Sequence, residues 1–321
     1  EIEIAKIDGA WTAADTTAVT IDGWTTDATH YIKIYTTAAA RHDGKWNTGK
    51  YRLETTANQN IRSYENDVRI EGLQISVNNN GGFSPAGILA QESNQKNLQI
   101  SHNIIRYNGS NNTGAIGLYF ENCTNIKIWN NIIYNFSITG SNYTHGIYMR
   151  TATTTSVFYV YNNTVVSSTV GIYNDYGGDY NPVILKNNLS YNNTDNYNGI
   201  FNASSTNNLS GPGSDAQIPL TNARNGVTVS FVDYANKDLH LVSGDTAAKN
   251  AGADLSADAN LAVTTDVEGY LRPTGAGVVD IGADEEGATA MPTTAYIPAN
   301  LDGNRYVRYK AYFTTSDTAY T

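Results

Sequence analysis

Glu121, Arg150 and Asp175 hold one position of an internal repeat, so that an acid, a base and an acid follow in order. Each comes four residues after a glycine, in Gly117-Leu118-Tyr119-Phe120-Glu121, Gly146-Ile147-Tyr148-Met149-Arg150 and Gly171-Ile172-Tyr173-Asn174-Asp175. Gly87-Ile88-Leu89-Ala90-Gln91 is an earlier copy, and Gly199-Ile200-Phe201-Asn202-Ala203 reads as a later one. Alternation along a strand turns the aliphatic residue after each glycine inward. It turns Tyr119, Tyr148, Tyr173 and Phe201 outward, beside the charged column. Flat rings and charges on one face suit a sugar-binding groove, by stacking and by hydrogen bonds to hydroxyls. An exposed aromatic patch equally suits a protein partner. The plainest reading is a self-contained ladder of stacked rings and paired charges.

Catalysis on such a face is a different demand. Hydrolysis of a glycosidic bond needs two carboxyl groups at a defined separation. A lyase needs a poised base and a cation to neutralise its substrate's acid. Glu121 and Asp175 lie two repeats apart, roughly 9–10 Å at strand spacing, and Arg150 stands between them. We therefore expect no catalytic residues here. Asp175 with Asp179, and His145 near Arg150, are the remaining catalytic candidates. No cofactor and no metal centre are expected. Asp254, Asp258 and Asp266 offer at most a weak calcium site, because their spacing matches no calcium loop.

The elements that must position this face are short strands. The glycines recur at spacings of 29, 25 and 28 residues, a period that means stacked units. A second refrain runs between them: Ile126-Lys127-Ile128-Trp129-Asn130-Asn131 returns as Phe158-Tyr159-Val160-Tyr161-Asn162-Asn163 and as Val183-Ile184-Leu185-Lys186-Asn187-Asn188. Leu98 to Asn103 is an earlier version. Its apolar residues stack into inward columns. Its asparagines tolerate the left-handed bend between two strands. Asn103, Asn131, Asn163 and Asn188 are predicted to form a hydrogen-bonded ladder along the stack. Asn-X-Ser/Thr sequences are frequent, and Asn188 belongs both to one of them and to the ladder.

Identical positions in register require parallel strands, so the fold class is all-β: a parallel β-helix solenoid, right-handed by the usual crossover rule. About eight rungs of ~28 residues, stacked at ~4.8 Å, make a rod about 40 Å long. The expected organisation is a β-helix over residues 1–235, with its N-terminal cap and first rungs in 1–50. A C-terminal capping region follows at 236–287, a linker at 288–299 and a terminal β-strand segment at 300–321. Trp11, Trp24 and Trp46 are candidates for closing the open N-terminal end. The terminal strand belongs to a truncated β-sandwich or is donated to a partner.

Composition narrows the partners. The chain of 321 residues carries a net charge of −10, which disfavours nucleic acid and anionic polysaccharide. Charged residues make up 16% of the chain, and Asn, Thr, Gly and Tyr fill the gap, favouring strands and turns. A single cysteine, Cys123, excludes an intrachain disulfide. No apolar run reaches the length of a membrane span. The first residue is Glu1 and no signal peptide is visible, which reads as a processed or trimmed chain. The Thr/Asn/Tyr-rich, lysine-poor composition points to an extracellular or cell-surface location.

The repeat of residues 68–210 resembles the right-handed parallel β-helix superfamily with the pectate-lyase-like fold. The C-terminal segments Phe231-Val232-Asp233, Asp238-Leu239-His240-Leu241, Asp266-Val267-Glu268-Gly269 with Arg272-Pro273, and Val279 to Glu285 resemble bacterial surface β-helix proteins of the choice-of-anchor type. That family commonly ends its helix in a Val-Asp-Ile-Gly-Ala-Tyr-Glu-like strand, and Asp284 stands here in place of the tyrosine. The resemblance implies secretion or surface display and carries over no catalytic residues. The expectation is therefore an extracellular structural or adhesive protein, self-associating as a filament, layer or trimer. The alternatives are a polysaccharide-binding or polysaccharide-degrading protein, of lyase or hydrolase type, and a phage tail-spike-like protein.

Overall fold

The computed structural model describes residues 3–78, 85–92, 95–110, 114–138, 141, 143–150, 156–175, 182–275 and 278–288. Glu1–Ala290 is one compact unit, and the expected strand of 300–321 lies outside the described residues. Among the described residues no helix is long and apolar enough to cross a membrane.

Three parallel sheets wind around one core. Sheet A stacks Glu3–Ile7, Ile32–Thr36, Val68–Glu71, Gln99–Ser101, Ile126–Trp129, Phe158–Tyr161 and Val183–Lys186. Sheet B runs from Leu53–Thr55 through Gln74–Val77, Ile104–Tyr107, Ile132–Tyr134, Thr164–Val166 and Leu189–Tyr191 to Leu209–Gly211 and Arg224–Asn225. Sheet C stacks Val19–Ile21, Gln59–Ser63, Ala86–Ala90, Ala115–Glu121, Thr144–Arg150, Val170–Asn174 and Asp195–Asn198. The chain visits A, B and C in turn, which makes a β-solenoid. Sheets A and C hold seven strands and sheet B eight, but six turns among the described residues carry one strand on every sheet. The expected eight rungs are thus six complete turns with partial turns at both ends. At the N-terminus residues 8–18 cross from sheet A to sheet C with only a single bridge, Asp15 to Leu53, in place of a sheet B strand, and at the C-terminus Leu209–Gly211 and Arg224–Asn225 add to sheet B alone.

Register is set by the inward columns. Ile70, Ile100, Ile128, Val160 and Leu185 pair one above another, as do Ile126, Phe158 and Val183, and all are fully buried. At the bend from sheet A to sheet B the two asparagines divide the work. The first takes the left-handed backbone, with φ of 53° at Asn130, 50° at Asn162 and 54° at Asn187. The second points inward and builds the ladder. Asn103, Asn131, Asn163 and Asn188 each donate from Nδ2 to the Oδ1 of the next, at 2.9–3.0 Å, and Asn208 extends the series. Each Nδ2 also donates to the carbonyl of a strand one turn back, as Asn131 does to Ile100 at 2.9 Å. Each Oδ1 also accepts a backbone N–H, as that of Asn163 accepts from Asn131 at 3.0 Å. Buried amides satisfied on every side hold one register and no other. Asn162, Asn188 and Asn208, all in Asn-X-Ser/Thr sequences, are buried by this arrangement.

Residues 231–275 and 278–288 run along the side of the solenoid, as a strap over sheet B and the bend before it. The outward face of sheet B is apolar: Ile104, Ile132, Tyr134, Val166, Leu189 and Leu209 pack against Leu239, Leu241, Val267, Ile281 and Ala283. Burying such aliphatic side chains contributes roughly 1.5–3 kcal/mol each. The first asparagines of the refrain grip the strap. Asn130 donates to Thr265 O at 2.7 Å, Asn187 to Ala253 O at 2.8 Å and Asn207 to Ala251 O at 2.9 Å. Buried Arg272 pins the strap to itself, donating to Gly282 O and Ala283 O at 2.8 Å and to Glu285 at 2.7 Å. The tryptophans divide likewise. Trp11 closes on Tyr51 at the end of the core, Trp46 lies against the strap, and Trp24 is exposed.

Candidate functional site

Sheet C brings the predicted face together from consecutive strands, with Leu89 on the strand before it. Leu89, Tyr119, Tyr148 and Tyr173 pair in register, and Glu121 pairs with Arg150. The glycines before them allow this close stacking. A Cβ on Gly117 would lie 2.5 Å from Gly146 O and 2.8 Å from Ile133 Cγ2, so no other residue fits there without displacing the next turn. The ring of Tyr148 sits 5.0 Å from that of Tyr119 and 5.3 Å from that of Tyr173, the latter pair stacked. His145 adds a fourth ring, 4.9 Å from Tyr148 and 5.2 Å from Tyr173.

The hydroxyl and charged groups of this face are bonded to one another. Tyr119 donates to Glu121 at 2.8 Å, Tyr148 to Asp175 at 2.6 Å and Tyr173 to Asp175 at 3.2 Å. Arg150 pairs with Glu121 at 3.0 Å and approaches Asp175 at 3.9 Å. Burial pushes the Tyr119 hydroxyl up to about 12, helped by its bond to Glu121, and raises Tyr148 and Tyr173 in the same way beside Asp175. Burial pushes the His145 imidazole down to about 4, against the pull of Asp175. Its Nδ1 is buried without a hydrogen-bond partner, so it serves the stack as a neutral ring. Arg150 remains half-exposed at the centre of the face.

Phe201 is not in the column. The residues of sheet C above Ile172 and Tyr173 are Tyr197 and Asn198, so the copy beginning at Gly199 falls out of register. Gly199 takes a φ of +108°, and Phe201 folds back, partly buried, with its ring 6.2 Å from that of Tyr197. The displacement is caused by Tyr197, which plugs the interior. Its hydroxyl bonds to Asn188 O at 3.0 Å and to Leu209 O at 2.9 Å. Asp179 lies outside the described residues. Asp254, Asp258 and Asp266 do not converge on one point: Asp254 bonds to Gly275 N, Asp258 pairs with Lys186 at 2.6 Å, and Asp266 caps Tyr270 N.

A second cluster was not foreseen. On the strap His240 bonds through Nδ1 to Asp238 and through Nε2 to Glu268, and Asp284 stands beside them. These residues are remote in sequence from one another and follow no repeat. The only trace of them was the set of segments singled out by resemblance rather than by chemistry. No protein-family model, no curated protein and no solved structure matches the chain.

Proposed function

We propose that the protein is an extracellular structural or adhesive rod, a non-catalytic subunit of a cell surface, filament or surface layer. The observation that carries this reading is the self-sufficiency of the sheet C face. Each charged and hydroxyl group there has its partner within the face, which is the economy of a ladder and not of a reaction centre. The ladder from Asn103 to Asn208 and the strap beside it brace successive turns against one another, as a rigid rod requires. The Thr/Asn/Tyr-rich composition supports the location.

Electron microscopy and light scattering of the purified full chain test the proposal. Filaments, layers or defined oligomers are expected, and loss of assembly on removal of residues 300–321 would assign the contact to that segment. A protein that stays monomeric at all concentrations and depolymerises a polysaccharide would overturn the reading. Binding on a glycan array, abolished by Tyr148→Ala, would replace it with the sugar-binding alternative.

A further inference from the structure

We propose that His240, Glu268 and Asp284 form a binding site for one divalent transition-metal ion of the zinc class, and that the ion fastens three separate passes of the strap to one another. One ligand atom from each residue lies within 4.8 Å of the other two. A four-coordinate shell with bonds of ~2.0–2.2 Å places its ligands a little over 3 Å apart. His240 Nε2 and Glu268 Oε1, hydrogen-bonded to each other, part to that distance as the ion enters between them, and Asp284 lies within reach of both.

Four observations support an ion here over a mere cluster of charge. First, Asp238 holds His240 Nδ1, which fixes the ring and turns Nε2 into the cluster. This carboxylate–histidine pairing is the arrangement that orients metal-bound imidazoles. Second, the Glu268 side chain is nine-tenths buried, and its Oε2 is buried without a hydrogen-bond partner. A buried carboxylate oxygen with nothing to accept is costly, and a cation is what would satisfy it. Third, Gly44 of the solenoid, at φ +73°, abuts the point where His240 Nε2 and Glu268 Oε1 meet; a Cβ there would overlap both atoms. Fourth, an open cleft of about 350 Å³, lined by these residues with Tyr270 and Glu286, gives an ion its way in and leaves a coordination position to water.

The donor set selects the ion. One imidazole nitrogen with two carboxylates suits zinc and its neighbours. Calcium takes six to eight oxygens and gains nothing from the ring. Asp284 Oδ2 already accepts Leu241 N–H at 2.7 Å, which holds this ligand in place and leaves its other oxygen for the metal. On binding, the ion replaces the Nε2 proton of His240, which leaves to solvent.

The test is calorimetry of the chelator-treated full chain with zinc chloride, with the thermal midpoint measured with and without the metal. One ion per chain and a raised midpoint are expected. Glu268→Gln and Asp284→Asn should each weaken binding by roughly tenfold or more, and Asp238→Asn, acting through the ring, by roughly 10- to 100-fold. X-ray absorption of the zinc-loaded protein should find one imidazole nitrogen among oxygens, a readout that needs no variant to fold. No saturable binding, binding indifferent to Glu268→Gln and Asp284→Asn, an all-oxygen shell, or equal affinity for calcium would each overturn the proposal. None of these results bears on the rod reading, which does not depend on the metal.

Discussion

His145 shows what one residue contributes to the sheet C face and what the sequence can say of it. A histidine beside an arginine repeat position reads as a candidate catalyst, but its ring is stacked among tyrosines and held neutral. Its ordinary value is about 6.5. Between that value and about 4 the unfolded chain takes up a proton that the folded chain refuses. The stability this group lends is therefore full above pH 6.5 and is lost as the pH falls toward 4. Urea denaturation of the wild type and of His145→Gln at pH 7 and pH 4 should show their difference shifting against the wild type, by roughly 3 kcal/mol at most. A difference independent of pH would mean that the ring takes up its proton as readily in the fold as in the unfolded chain. The asparagines were legible to different depths. The inward member of each pair was readable because its partners are copies of itself one repeat away. What the outward member grips was not, because Thr265, Ala253 and Ala251 stand in a stretch without period.

At the scale of the element, the glycine column decides how closely one turn of sheet C lies on the next. Gly117→Ala forces a methyl against Gly146 O and Ile133, where neither backbone nor packed core can yield. It should cost at least about 1–3 kcal/mol, the usual range for overpacking. Gly213→Ala, with open space around it, should be close to neutral. Denaturant midpoints of the two variants check this; equal effects would show that sheet C relaxes around the added methyl. The strands themselves were legible, since alternation and repetition agree on them. The last copy was misread because Gly199-Ile200-Phe201 repeats the letters of the refrain while the backbone has already spent Asp195–Asn198 on sheet C. Letters recur by descent or by chance, but register is decided by which side chain fills the core, and Tyr197 fills it.

For the whole molecule the strap matters most. A bare solenoid is a chain of nearest neighbours and can unfold piecemeal from its ends. The strap bonds to turns far apart, from Lys45 in the first complete turn to Asn207 after the last, and so couples them. The described unit should unfold in urea as one transition. Leu241→Ala with Ile281→Ala, each costing roughly 2–5 kcal/mol in a packed site, should free the strap to protease first and split the transition in two. A single transition at reduced midpoint would mean that the solenoid is cooperative without it. The strap also has a consequence for inheritance. Whole turns of a ladder that repeats itself can be duplicated or lost without breaking a bond, so nothing in the solenoid limits its own growth. The strap is a single copy of fixed length whose grips must meet successive asparagines in step. It therefore acts as a ruler: a gain or loss of one turn would put every later grip out of phase, and the number of turns is held to the number the strap can measure.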